Sequence, residues 1–152
     1  MCKFIKYKED IAMVQFIVGR KGKGKTKHLL EQANSAIKEA SGNVVYLDKS
    51  SQKMYELNNK IRLIDVSRFP LRDSSEFIGF ICGILSQDHD LEVMFLDSYL
   101  ALARINDDEA FEKTISELEN ISKQYSVEFI LSVSKDKEEI PEQLQDRISL
   151  AL

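Results

Sequence analysis

Gly19-Arg20-Lys21-Gly22-Lys23-Gly24-Lys25-Thr26 fits the phosphate-loop pattern G-x-x-x-x-G-K-[ST] without a mismatch. Such a run constrains the fold because it works only between a strand and a helix. Val14-Gln15-Phe16-Ile17-Val18 ahead of it predicts a strand. Lys25 to Ala40 behind it predicts a helix, with Leu29, Leu30, Ala33, Ile37 and Ala40 recurring at helical spacing. Glycines let the chain curl so that successive backbone N–H groups face one anion. The helix then turns its unpaired N–H groups and positive dipole end toward the same anion. The competing reading is a glycine-rich basic turn without a ligand.

The rest of the chain alternates in the same way. Ser41-Gly42-Asn43 ends the first helix, with glycine as a left-handed cap, and Val44 to Leu47 reads as a strand covered on both faces. A short helix containing Met54 and Leu57 is expected over residues 50–60, then a strand from Ile61 to Val66 and a loop through Asp73. Ser74 or Ser75 caps a helix that is apolar nearly all round, from Phe77 to Leu85, and that asks for cover on more than one side. Val93 to Asp97 is the next strand. Asn106, Asp107 or Asp108 caps a long helix with the stripe Phe111, Ile115, Leu118, Ile121 and Tyr125. A strand over residues 127–134, a solvated charged loop over 135–139, a short helix opened by Pro141 and a final strand from Ile148 complete the chain. Strand–helix alternation predicts an α/β fold: a three-layer αβα sandwich on a mostly parallel sheet. Residues 13–152 form one domain. Residues 1–12 read as an N-terminal extension, either disordered or an edge strand from Lys3 to Tyr7, and Met13 is an alternative start.

At 152 residues, 43% hydrophobic and 30% charged, the composition is that of an ordinary soluble domain. A net charge of −4 argues against a general nucleic-acid binder. Arg20, Lys21, Lys23, Lys25 and Lys27 are the local exception, and suit either a phosphate site ringed by solvated lysines or a second polyanion beside it. Cys2 and Cys82 lack metal-ligand spacing and read as reduced thiols of a cytoplasmic protein. His28 and His89 read as surface residues. No segment has the length of a membrane span, and no signal peptide is evident.

In a parallel sheet, ligands gather at the carboxyl ends of the strands. Gly19, Asp48, Asp97 and Ser134 all fall at such ends. Gly19 to Lys27 is the nucleotide-binding run. Within it Lys25 is expected to reach the β and γ phosphates, and Thr26 to bind Mg²⁺ through its hydroxyl. Val93 to Asp97 has the four-apolar-then-Asp form that sets a carboxylate beside the metal; a turn or cap is the other reading of Asp97. Asp48 either orients the attacking water or forms a turn before Lys49. Ser132 and Ser134 are candidate γ-phosphate sensors. Arg68, Arg72, Arg104 and Arg147 are candidates for an arginine finger, acting in cis or from a neighbour.

With these residues in this order, the chain resembles the RecA-like branch of P-loop NTPases. In that family the Asp of the metal strand is often followed by Ser, as Asp97-Ser98 is here. The water-orienting acid comes from the strand after the first helix, where this chain has Asp48 in place of Glu. The resemblance implies ATP as ligand, Mg²⁺ as cofactor, and a sheet order of 3-2-4-5-1-6. The chain is also similar to small clostridial-type proteins labelled as twitching-motility ATPases. Those motors carry an N-terminal domain and boxes with His and Asp that do not match here. The expectation is a weak Mg²⁺-dependent ATPase or nucleotide switch, working with a protein partner or as a homo-oligomer. A nucleotide-binding regulatory module without hydrolysis is the alternative, and a small-molecule kinase ranks behind both. No Asn/Thr-Lys-x-Asp run for reading guanine is present.

Overall fold

Strands that are apolar on both faces require helices on both sides of the sheet. The computed structural model describes residues 13–152, and the extension expected over residues 1–12, with its edge strand, lies outside the described residues. The elements run β1 (Val14–Val18), α1 (Lys25–Glu39), β2 (Asn43–Asp48), β3 (Arg62–Asp65), α2 (Ser74–Gln87), β4 (Leu91–Leu96), α3 (Tyr99–Leu102), α4 (Asp108–Tyr125), β5 (Glu128–Val133) and β6 (Ile148–Ala151). The six strands form one sheet in the order β3-β2-β4-β5-β1-β6, and every neighbouring pair is parallel. That order agrees with the expected one.

Successive residues of a strand face opposite sides of a sheet, so parity sorts the core into two halves. Phe16, Val45, Leu47, Met94, Leu96, Phe129 and Leu131 pack on α2, α3 and α4 through Phe77, Ile81, Tyr99, Phe111 and Ile115. Each of these large side chains, once buried, contributes roughly 1.5–3 kcal/mol. Ile17, Val44, Tyr46, Phe95 and Ile130, of the other parity, pack on α1 through Leu29, Leu30 and Ala33. Helices therefore cover both faces, an arrangement compatible with a three-layer sandwich. The parity that carries Tyr46, Phe95 and Ile130 also carries Asp48, Asp97, Ser132 and Ser134, so all four polar residues emerge on the α1 side.

Several local expectations are corrected. Residues 50–60 form turns rather than a helix: among them only Leu57 is buried, Ser50, Lys53 and Asn58 are partly covered, and Met54 is 53% exposed. What holds that stretch is Asn34 of α1, which donates to the Glu56 carbonyl at 2.9 Å and accepts from the Asn58 N–H at 2.8 Å. The cap of α2 is Asp73, accepting from Glu76 N–H, and not Ser74 or Ser75; a carboxylate there also suits the positive end of the helix. Asp107 is the cap chosen for α4. Gly42 is not left-handed; positive φ among the described glycines is confined to Gly19, Gly22 and Gly24. Residues 135–139 are tied down by Lys135–Asp108 at 3.1 Å and Arg20–Asp136 at 2.6 Å rather than merely solvated. α2 finds part of the cover its sequence asks for within the chain, with Phe69 packed on Phe80 at 4.9 Å between ring centroids.

One core group is unpaired. Tyr99 is fully buried, edge-on to Phe77 and Phe111, and its hydroxyl has no hydrogen-bond partner among the described residues. Thr114 on α4 donates its own proton to the Phe111 carbonyl at 3.0 Å. A buried hydroxyl left without a partner costs about 1–3 kcal/mol, so Tyr99→Phe is expected to leave stability unchanged or raise it. Urea denaturation measures this, and a clear loss of stability shows that the hydroxyl has a partner after all.

Candidate functional site

Two of the three left-handed glycines shape the loop after β1. Gly22 has φ 88° and Gly24 φ 95°, and Gly24 is the N-cap of α1 without any capping side chain. The first α1 amide to find an acceptor inside the helix is that of His28, which bonds Gly24 O at 3.3 Å. The amides of Lys25, Thr26 and Lys27 precede it at the helix mouth. No acidic residue occupies the first turn. The helix end is therefore electropositive, through its dipole and through Lys25 and Lys27.

That mouth opens into a cavity of about 420 Å³ lined by Lys21, Gly22, Gly24, Lys25, Thr26, Asp48, Lys49, Ser50, Gln52, Lys53, Asp97, Ser98, Ser132 and Ser134. Cavities of this size hold small ligands. Lys25 is buried, and its ammonium donates to the Arg20 carbonyl at 3.1 Å. Burial lowers its pKa below the ordinary lysine value, against the opposing pull of Asp97. Asp97 is 3% exposed and accepts three side-chain bonds: Thr26 Oγ1 at 3.1 Å and Ser132 Oγ at 2.8 Å on Oδ1, and the Tyr46 hydroxyl at 2.9 Å on Oδ2. Ser132 in turn accepts from the Ser98 N–H at 2.7 Å, where the chain is left-handed at φ 56°. Asp97 is thus neither a cap nor a turn former; the cap position of α3 belongs to Ser98.

Asp48 ends β2, buried, with its Oδ1 accepting from the Lys49 N–H at 2.7 Å. Burial raises its carboxyl above the usual range. A folded-state pKa above the unfolded one means that the ionised form is a cost of folding at higher pH. That cost fades as pH falls through the raised value toward about 4, where the unfolded group also protonates. Asp48→Asn is accordingly expected to raise the melting temperature at neutral pH by a few degrees, with the gain shrinking to nothing near pH 4. A gain that does not vary with pH argues against burial as its cause.

The loop, both carboxylates and both serines expected from sequence meet at this one cavity. Ser134 lines it exposed; Ser132 is buried and donates its hydroxyl hydrogen bond to Asp97. Gly19, Arg20, Lys23 and Lys27 do not line it. Gly19 packs near Leu152, Arg20 pairs with Asp136, and Lys27 borders a neighbouring groove with Asn34 and Glu56. None of the four candidate arginines lines the cavity either. Arg68 pairs with Asp65, Arg72 with Glu76 and Arg147 with Glu119, while Arg104 borders a separate small cavity.

Sequence reasoning missed Tyr46. Its signal was a phenol inside an otherwise aliphatic buried strand, two residues before Asp48, since a buried hydroxyl needs an acceptor. It also missed Gln52 and Lys53, which an expected helix had removed from view, and Lys49, which reads only as part of a turn. The donor set at Thr26 and Asp97 is all oxygen, which suits a hard cation such as Mg²⁺ held jointly with phosphate and water. Among the described residues no group of three or more His, Cys, Asp or Glu is placed to hold a metal without such help. No described helix is long and apolar enough to cross a membrane. A scan of protein-family models matches none to this chain, and a search of the curated proteins finds no match.

Proposed function

We propose that this chain is a Mg²⁺-dependent ATP-binding protein of the RecA-like P-loop type, acting as a slow ATPase or nucleotide switch. The observation that carries the reading is the convergence of a left-handed glycine loop, the open N-terminus of α1, Lys25, Thr26 and Asp97 on one cavity. Backbone amides of the loop and of α1 would bind the phosphate oxygens, and Lys25 would leave the Arg20 carbonyl to neutralise their charge. Thr26 and Asp97 would hold Mg²⁺, which supplies charge neutralisation between the β and γ phosphates. Asp48, ionisable and at the cavity wall, would orient water toward the γ phosphate.

Two observations favour a switch over fast turnover. Asp48 spends one oxygen on its own following amide, and among the described residues no arginine lines the cavity to stabilise the transition state. Arginine supplied in cis or by a partner is worth about 10³–10⁵ in rate for such enzymes. The test is thermal melting with and without MgATP beside a phosphate-release assay. Stabilisation by MgATP with slow release supports the proposal; stabilisation without any release leaves the non-hydrolysing module; absence of stabilisation removes nucleotide binding altogether.

A further inference from the structure

Tyr46 stands in the middle of β2 with no exposed surface, and parity turns it to the α1 side of the sheet together with Asp48. A phenol carries large apolar area, so packing alone explains its burial, yet phenylalanine would fill nearly the same space. The hydroxyl is the informative part: it donates to Asp97 Oδ2 at 2.9 Å, on the neighbouring strand's end. The main chain at Asp97 is already held, because its N–H donates to the Leu47 carbonyl at 3.0 Å and so continues the β2–β4 ladder by one rung. What remains free is rotation of the carboxylate about its last bond, which is broad and roughly two-fold for aspartate. Thr26 and Ser132 both bond Oδ1, and neither touches Oδ2.

We propose that Tyr46 is a positioning residue for the cation: its hydroxyl pins Asp97 Oδ2 so that Oδ1 is presented beside the Thr26 hydroxyl. The inference rests on the Mg²⁺-nucleotide reading of the site and names a residue outside the cavity wall that tunes it. Asp97 offers only acceptor oxygens, so the phenol is the donor of this bond. Without that donor, Oδ2 is a buried carboxylate oxygen lacking a partner, and the side chain gains by turning away from Thr26.

The test is a fluorescent ATP analogue titrated onto wild type, Tyr46→Phe, Asp97→Asn and the double variant, first in EDTA and then against rising Mg²⁺. Tyr46→Phe is expected to raise the half-saturating Mg²⁺ concentration about tenfold, within the range typical of groups that orient metal ligands, while affinity in EDTA stays near that of wild type. On the Asp97→Asn background the same change is expected to add little, since the two residues act as one unit. A core-filling role alone would change melting temperature or both affinities together. An unchanged Mg²⁺ midpoint in Tyr46→Phe, or full additivity with Asp97→Asn, overturns the positioning role while nucleotide binding stands. Failure of the wild-type protein to bind the analogue overturns the nucleotide reading and this inference with it. Tyr46→Leu, melted and titrated in parallel, separates loss of the hydroxyl from loss of fold: its Mg²⁺ midpoint must shift as for Tyr46→Phe.

Discussion

Replacing Lys25 by alanine is expected to weaken binding of a non-hydrolysable MgATP analogue about 100-fold, roughly 3 kcal/mol, as befits loss of a charge-assisted phosphate contact. The same change is expected to leave the ligand-free protein as stable as wild type or more so. Both effects follow from one placement. Lys25 is buried at the first position of α1, where the helix dipole is positive and repels a cation. Its one hydrogen bond goes to the carbonyl of Arg20, and burial makes the folded state hold its charge less readily than water does. With only the Arg20 carbonyl and the pull of Asp97 in its favour, a cation held there against burial and the helix dipole is suited to receive an anion. Calorimetric titration gives the first number and apo thermal melting the second. Equal affinity in both proteins would move the anion site elsewhere; a large fall in apo stability would make Lys25 a structural residue.

The second large effect lies at the opposite end of the sheet. Gly42 precedes β2, and a Cβ placed there would sit well inside contact distance of the Asp90 carbonyl oxygen, with the Asp90 carbonyl carbon and Glu92 Cγ each at 3.1 Å. The neighbourhood cannot open cheaply. Gly42 N–H donates to Glu92 Oε1 at 2.8 Å, Asn43 N–H donates to Asp90 O at 2.7 Å, and the Asn43 amide donates to Asp88, which also pairs with Arg62 at 3.1 Å. Gly42→Ala is therefore expected to cost about 3 kcal/mol, on the order of 10 °C in melting temperature for a chain of this size. Gly42→Asn separates the two explanations for the glycine. Asparagine tolerates a left-handed cap but not a close backbone approach, so the structure predicts a loss at least as large as for alanine. Chemical denaturation of both variants measures it, and a loss below about 1 kcal/mol for asparagine restores the cap.

The fold was legible because its signals are periodic. The apolar run of Val14 to Val18, the helical spacing of Leu29, Leu30 and Ala33, and the stripe from Phe111 to Ile121 each report buried surface in a short or periodic pattern. The carboxyl strand ends shared by Asp48, Asp97 and Ser134 were legible too, but the side of the sheet they share follows only from the register between strands. What escaped was chemistry without a period. Residues 50–60 carry enough apolar and helix-forming residues to suggest a helix, but Leu57 packing on the core and an asparagine on α1 hold them as turns, and no local pattern announces either. Asp73 outcompeted Ser74 as a cap through a choice of one residue, below what spacing resolves.

By itself the order of residues determined the strand–helix alternation, the left-handed glycines of the loop and the cation at the head of α1, because each depends on neighbours along the chain. Tertiary structure alone decided which hydroxyls reach Asp97, why Gly42 must lack a side chain, and that Arg20 faces Asp136 rather than the cavity. Those contacts join residues up to 116 positions apart. Their geometry is set by strand order and register, which exist only once the sheet has closed on its helices.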